Sequence, residues 1–354
     1  MDHTPSLSQP TIDPDHINSS PWYPRVLVIG PGGLKGLKAL GFLSPIEDSG
    51  VLEFVDSYCG VSVGSLICLL IICGYPIREI VGEAVKMDIF KEVGSFDFRS
   101  VMENKGFISS EPVRKRLTQL VINKFGNIPT LYGLYMMTGK AFISVTLNAT
   151  DETCVMLNPF DNQNMSCVDA TMFSMNVPFV FYQLVHNGKT YVDGALANPY
   201  PVDYFDDGET NILGIYMKTT QPKNNPTPHS SGIILQRVEE SAKIPIGSYY
   251  SRMIHSLFDH RYYNIVNHAS DKCKHVCLNV APDDMFGFNV SMENKASMLI
   301  EGFNEGKTFL TQIRNNSYSH PKIPSQLRYT YPPYFMMGDD EPIDILAEMS
   351  TTSS

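Results

Sequence analysis

The segment Phe54–Gly74 carries the feature that most constrains what this chain can fold into. Its pattern predicts a short strand, a turn of sequence Gly60-Val61-Ser62-Val63-Gly64, and an apolar helix over Ser65–Cys73. The turn is so tight that a Cβ at either flanking position would clash, and both of those positions are glycines. A G-x-S-x-G sequence at a strand-to-helix turn is typical of a nucleophile elbow. We therefore expect Ser62 to be a nucleophile at the positive end of the following helix.

A second glycine-rich turn lies upstream of this elbow. The β-branched run Arg25–Ile29 predicts a buried strand, and a glycine-rich loop at 30–36 follows it directly. Helical spacing over Leu37–Glu47 and a second strand over Phe54–Cys59 complete a βαβ pattern. The sequence therefore predicts an α/β fold with a mostly parallel central sheet and helices on both faces.

The glycine-rich loop matches nucleotide-binding patterns poorly. It lacks the Gly-Lys-Ser/Thr of a Walker loop, and Lys35 stands where a strict G-x-G-x-x-G needs its third glycine. The acidic residue that a dinucleotide site needs about 20 residues further on could still be supplied by Glu47, Glu53 or Asp56. The competing interpretation is an oxyanion hole. Pro31 has no backbone N–H, so its donors would be Gly32 and Gly33.

Composition narrows the classes of partner and the cellular setting. The formal net charge of −10 argues against a nucleic-acid partner, whose phosphates require a basic surface. The seven cysteines are scattered and no secretory signal precedes them, so we expect a reducing, cytoplasmic setting. The longest apolar run, Leu66–Cys73, is far shorter than the roughly 18 residues of a membrane span. Contact with lipid is therefore expected to be peripheral.

A serine hydroxyl needs a base, because it is almost wholly protonated at neutral pH. Asp193 follows a hairpin pattern around Asn187-Gly188 and precedes Gly194 and Ala195, which makes it a candidate. The Ser–Asp–His chain order of α/β-hydrolases is also available. Five histidines could complete that order or lie near the hairpin, and none sits in a recognisable strand-end loop motif: His186, His255, His260, His268 and His275.

A metal site is not predicted. Cys273, His275 and Cys277 alternate along one predicted strand, which gives at most three ligands and no second pair. The sequence therefore predicts neither a metal nor another cofactor.

Three motifs together resemble those of patatin-like phospholipases. In chain order they are Gly32-Gly33-Leu34-Lys35-Gly36, Gly60-Val61-Ser62-Val63-Gly64 and Asp193-Gly194-Ala195. The resemblance extends to Gly74-Tyr75-Pro76, Ala170–Phe181, Asp193–Val202 and Phe286–Gly302, and so covers about residues 25–310. Three differences stand out: Lys35 replaces the usual arginine, Pro31 replaces a glycine, and Asn198-Pro199-Tyr200-Pro201 disturbs the usual N-N-P run.

The resemblance implies a three-layer α/β/α domain over residues 23–320. Composition predicts a disordered tail at 1–22 and a partly disordered tail at 321–354. The resemblance also implies a Ser62–Asp193 dyad, with Gly32 and Gly33 in the oxyanion hole and no cofactor. The expected activity is that of a phospholipase A or lysophospholipase acting at a membrane or lipid-aggregate surface. Met285–Phe288 is the sequence candidate for contact with that surface.

Two other functions stay open at this point. One is a Ser-His-Asp esterase, although such enzymes place another βα unit between the oxyanion loop and the elbow, and here only about 30 residues separate them. The other is a catalytically inactive lipid-binding or assembly protein that keeps the same fold.

Overall fold

The central sheet has a parallel core of five strands, extended on one side by antiparallel ones. The computed structural model describes residues 22–86, 102–219, 246–280 and 290–321, without the side chains of 246–252. Within these residues the strands are β1 (Val26–Ile29), β2 (Ser57–Val61), β3 (Gly106–Ile108), β4 (Ala141–Asn148), β5 (Thr153–Leu157), β6 (Phe179–Phe181), β7 (Leu184–His186), β8 (Lys189–Asp193), β9 (Ile212–Thr219) and β10 (Cys273–Val280).

Strand pairing links the main sheet in the order β10-β9-β1-β2-β4-β8-β7, and β5 pairs with β4 as well. Strands β10, β9, β1, β2 and β4 are mutually parallel. Strands β5 and β8 run antiparallel to β4, and β7 runs antiparallel to β8. A separate small sheet joins β3 and β6 in parallel. All four residues of β1 are buried, as expected for a central strand covered on both faces.

Helices lie on both faces of this sheet. They are α1 (Gly36–Asp48), α2 (Val63–Ile72), α3 (Ile77–Lys86), α4 (Glu111–Phe125), α5 (Leu131–Thr138), α6 (Cys167–Ser174), α7 (Ile246–His268) and α8 (Met292–Arg314) within the described residues. Side chains alternate along β9: Tyr216 and Lys218 contact α7, whereas Met217 and Thr219 contact the loop that precedes α1. Among the helices that the structure describes, none is both long and apolar enough to span a membrane.

Helices α1 and α8 pack with their backbones in direct contact. A Cβ added to Gly302 of α8 would lie 2.1 Å from the carbonyl oxygen of Lys38, and one added to Gly41 of α1 would lie 2.3 Å from that of Leu299. The buried Lys38 ammonium crosses the same interface and pairs with Glu301 at 3.0 Å and Glu305 at 2.9 Å. Glycine at these positions is therefore what allows the two helices to approach so closely.

Most predicted elements are present, and the differences are local. The predicted strand at Phe54–Cys59 is wrong at its start, because Val51–Phe54 form a 3-10 turn and β2 begins at Ser57. The segment Ala170–Phe181 begins inside α6, which ends at Ser174. Strand β5 was not predicted from the sequence. The expected tails, 1–22 and 321–354, lie outside the described residues apart from Trp22 and Pro321. The residues Met285–Phe288 also lie outside the described residues.

Replacing Gly302 by alanine should destabilise the fold. The new methyl group meets backbone rather than a flexible side chain, so we expect the free energy of unfolding to fall by about 1–3 kcal/mol. Gly82 is the matched control, because it lies inside α3 and a Cβ there meets nothing within 4 Å. Gly82→Ala should raise stability by about 0.5–1 kcal/mol through helix propensity. Urea unfolding of both variants tests this; equal effects would contradict the close α1–α8 contact.

Candidate active site

Strand β4 brings Ser62 and Asp193 together by pairing with two strands along one edge. Strand β2 runs parallel to β4 and ends at Val61, opposite Val145. Strand β8 runs antiparallel to β4 and ends at Asp193, opposite the next residue, Thr146. Strand β5 pairs with the other edge of β4. Because β2 and β8 share an edge and approach it from opposite directions, their last residues meet, and both Ser62 and Asp193 line one cavity.

The turn around Ser62 has the strained geometry expected of a nucleophile elbow. Ser62 has φ 56° and ψ −126°, in the positive-φ region that residues with a Cβ rarely occupy. A Cβ on Gly60 would lie 2.3 Å from the Cα of Ser65, and one on Gly64 would lie 2.2 Å from the carbonyl oxygen of Ile29. Both glycines are thus sterically required, as the sequence predicted. Helix α2 begins at the next residue and presents its N-terminus beside Ser62.

Two residues that the sequence analysis did not identify connect the elbow to Asp193. The backbone N–H of Ser62 donates a 2.9 Å hydrogen bond to the buried hydroxyl of Ser174, the last residue of α6. The backbone N–H of Asp193 donates at 2.9 Å to the carbonyl oxygen of Asn176, and the Asn176 amide donates to the carbonyl of Tyr191 at 2.9 Å. The segment after α6 therefore holds both residues in place. No pattern in a single sequence signals such long-range pairs.

Asp193 is buried and its charge is strongly desolvated. Its side chain ends β8 in the interior, with the residue only 4% exposed. Burial raises the pKa of this carboxyl from 3.8 to about 7, and the Ser62 side chain and the Ala195 N–H, which donates at 2.9 Å, partly offset that rise. Gly194 allows the tight crossing, because a Cβ there would lie 2.1 Å from the carbonyl oxygen of Val145. A carboxyl with this pKa can accept and return a proton near neutral pH.

The glycine-rich loop lies against the same cavity. Gly32, Gly33, Leu34, Lys35 and Gly36 all line it. Gly33 has φ 54°, a conformation that favours glycine, and begins a 3-10 turn that leads into α1. The buried Lys35 ammonium donates to the Thr219 hydroxyl at 2.6 Å and so ties this loop to the end of β9. The loop, the serine and the aspartate are thus brought to one place at the carboxyl ends of parallel strands.

The cavity has a volume of about 180 Å³, and apolar side chains form most of its wall. Leu66 and Leu70 of α2, Ile80 of α3, and Leu117 and Leu120 of α4 line the part that extends between the helices. An apolar wall with a few polar groups at one end is typical of a site for a ligand with a long apolar portion.

The five candidate histidines lie in different parts of the described structure. His255 of α7 lines the same cavity as Ser62 and Asp193. His275 is buried elsewhere, with its Nδ1 2.9 Å from the Tyr200 hydroxyl, and burial lowers its pKa to about 4. The remaining three lie at the β7–β8 hairpin or on α7: His186, His260 and His268. Of the five candidates, His255 is therefore the one that a Ser-His-Asp arrangement would have to use.

Comparison with known proteins now identifies the family. The model of the patatin-like phospholipase family matches residues 27–206, half of the chain, and this range contains both the elbow and Asp193. This chain belongs to the patatin-like phospholipase family. The predicted α/β fold with a mostly parallel central sheet, and the resemblance drawn from its motifs, are confirmed.

Three individual proteins are similar to this chain in sequence or in fold, and one of them is named a probable lipid hydrolase. "Probable lipid hydrolase 463L" of Invertebrate iridescent virus 6 is 26% identical over 206 residues, which cover 57% of this chain and 70% of that protein. "Uncharacterized protein R571" of Acanthamoeba polyphaga mimivirus is 25% identical over 213 residues, covering 56% and 71%. The crystal structure of VipD from Legionella pneumophila is similar in fold, with a TM-score of 0.51 at 13% identity over 83% of this chain and 68% of that one.

Replacing Asp193 by asparagine should change how stability depends on pH. Because its folded-state pKa is raised, the folded protein binds this proton more tightly than the unfolded chain, and stability is lost as the pH rises from about 4 to about 7. Asp193→Asn removes that loss and keeps an acceptor for the Ala195 N–H. In urea unfolding, the variant should become more stable than the parent by on the order of 3 kcal/mol at pH 8, and much less at pH 4.5. A pH-independent difference would contradict the raised pKa.

Proposed function

We propose that this member of the family is a lipid acyl hydrolase that cleaves fatty-acyl esters of phospholipids or lysophospholipids with Ser62 as nucleophile and Asp193 as base. The observation that carries the proposal is a buried carboxyl, Asp193, in one cavity with a serine in a strained turn. Burial raises the pKa of this carboxyl to about 7. A free aspartate is a weak base at neutral pH. Desolvation brings the pKa of Asp193 into the range in which a carboxylate is both available and basic enough to take a proton.

In the acylation step, the Ser62 hydroxyl oxygen attacks the ester carbonyl carbon and its proton passes to the Asp193 carboxylate. Collapse of the tetrahedral intermediate breaks the bond to the alcohol oxygen, and Asp193 returns the proton to that leaving oxygen. Water then attacks the acyl-enzyme ester with Asp193 again accepting a proton, and Ser62 recovers that proton as the fatty acid leaves. Asp193 thus ends each half-reaction in its starting ionisation state.

The negative charge on the former carbonyl oxygen would be stabilised by the backbone N–H groups of Gly32 and Gly33. The N-terminus of α2 lies beside Ser62 and adds a favourable dipole. Lys35 acts as a positioning residue here, because its hydrogen bond to Thr219 fixes the loop that carries the two glycines. In this proposal the backbone N–H groups and the α2 N-terminus stabilise the negative charge on the substrate oxygen, and Asp193 takes up the proton.

The apolar part of the cavity would hold an acyl chain. It begins at Ser62 and follows α2 through Leu66 to Leu70, which is roughly 12 Å at 1.5 Å per residue. An acyl chain buried there would place its ester group at the polar end, next to Ser62 and the glycine loop. This arrangement favours a lipid ester over a small polar ester, and it supports the phospholipase interpretation of the family resemblance.

Labelling with a fluorophosphonate probe tests the proposal, because only an activated serine reacts. We expect the parent protein to be labelled at Ser62 and Ser62→Ala to be unlabelled. Asp193→Asn should slow labelling by roughly 10³-fold, since it keeps the shape of the side chain but removes the base. His255→Gln is the matched comparison and should keep more than a tenth of the parental rate.

Each alternative function gives a different result in the same experiment. If His255→Gln were as slow as Ser62→Ala while folded, the enzyme would use a Ser-His-Asp arrangement. If the parent protein were not labelled, the chain would be a lipid-binding protein without hydrolase activity. Release of fatty acid from dispersed phosphatidylcholine by the parent, and not by Ser62→Ala, completes the assignment of the substrate class.

A further inference from the structure

The turn at the start of β6 holds an aromatic residue in an unfavourable backbone conformation. The Val180 N–H donates to the Val177 carbonyl at 3.2 Å, with Pro178 and Phe179 as the two central residues. Phe179 has φ 65°. Proline followed by a residue of positive φ defines a type II turn, in which the third position is normally glycine or asparagine. A bulky residue with positive φ is a genuine outlier, and such outliers cluster at functional sites.

Phe179 is not part of the buried core, because the residue is 56% exposed. Glycine or asparagine would relieve the backbone strain. A large apolar side chain thus stays more than half exposed at a position where glycine or asparagine would suit the backbone better.

Phe179 and other exposed apolar residues lie close in the chain to residues that line the catalytic cavity. Val177 and Pro178, which directly precede Phe179, line that cavity. Leu196, two residues after Gly194, lines the cavity and is also exposed. On α7, Met253 and Leu257 are exposed one turn apart, while their neighbours Ile254 and Phe258 line the cavity. Exposed apolar side chains therefore continue the apolar cavity wall outward to the surface.

We propose that these four residues, Phe179, Leu196, Met253 and Leu257, form the surface that docks on the hydrocarbon boundary of a lipid aggregate; we call it the mouth surface. The inference rests on the proposed function, since the substrate of such an enzyme lies in an aggregate. The continuity between this surface and the cavity favours lipid as its occupant: a lipid below the mouth surface reaches Ser62 without its acyl chain crossing water. Apolar side chains inserted at a lipid surface gain free energy through their buried area.

Charge also bears on the kind of lipid surface. The chain has a net charge of −10, which opposes adsorption to anionic membranes. Adsorption through apolar side chains does not need anionic lipid and is insensitive to salt. Vesicles of phosphatidylcholine should therefore suffice for binding.

The test is flotation of the full chain with phosphatidylcholine vesicles, carried out in the Ser62→Ala background so that no lipid is hydrolysed. Phe179→Asn should reduce the partition coefficient at least tenfold, about 1.4 kcal/mol. Asparagine tolerates positive φ, so the melting temperature should stay equal or rise. The matched control is Phe160→Asn, because Phe160 is 57% exposed on the loop after β5 and does not line the cavity. It should leave partition unchanged.

A second pair of variants tests the helical part of the mouth surface. Leu257→Gln should weaken partition, whereas Met136→Gln on α5 should not, although the two side chains are 62% and 65% exposed. The proposal is overturned if the Ser62→Ala protein does not float, if each control loses as much binding as its partner, or if binding requires anionic lipid and disappears in high salt. A lower melting temperature for Phe179→Asn would also overturn it, since the ring would then stabilise the fold.

The experiments distinguish a failure of the docking surface from a failure of the proposed hydrolase function. Flotation uses a protein that cannot react, whereas fluorophosphonate labelling uses no lipid surface. Flotation that depends on Phe179, together with an unlabelled parent, would refute the hydrolase and keep the docking surface. Labelling of Ser62 without flotation would keep the hydrolase and refute the docking surface.

Discussion

The site depends on the pairing register of one strand. Val61 lies opposite Val145 and Asp193 opposite Thr146, so β2 and β8 end against consecutive residues on the same edge of β4. A shift of one residue in either pairing would turn every side chain of that strand to the other face. The sheet therefore brings Ser62 and Asp193 together although they are far apart in the chain, and the segment after α6 then holds both residues in place.

The same junction explains why an aspartate could serve where many serine hydrolases use histidine. Two strands that converge on β4 exclude water from the carboxyl, and the resulting desolvation raises its pKa to about 7. Contacts with Ser62 and the Ala195 N–H keep that rise from going further, because they stabilise the charged form. An ionised, buried Asp193 lowers the free energy of unfolding at neutral pH, and such a loss of stability is common at active sites.

The sequence predicted the features that local sterics dictate. Gly60 and Gly64 are required by direct backbone contact around Ser62, and such requirements leave a visible motif. The link from Ser174 to the elbow and the register of β8 on β4 could not be predicted, because both join residues distant in the chain. The positive φ of Phe179 could not be predicted either, because the third position of such a turn normally carries glycine or asparagine and a phenylalanine gives no sign of it.

The pH dependence of fluorophosphonate labelling tests most directly whether a desolvated Asp193 is the base for Ser62. With Asp193 as the base, the second-order rate constant should rise about tenfold per pH unit below pH 7 and level off above it, with one ionisation near the pKa of about 7 that burial produces. That ionisation should persist in His255→Gln and vanish in Asp193→Asn. A profile whose ionisation disappears in His255→Gln, or one that titrates near pH 4, would contradict the assignment of Asp193 as the base.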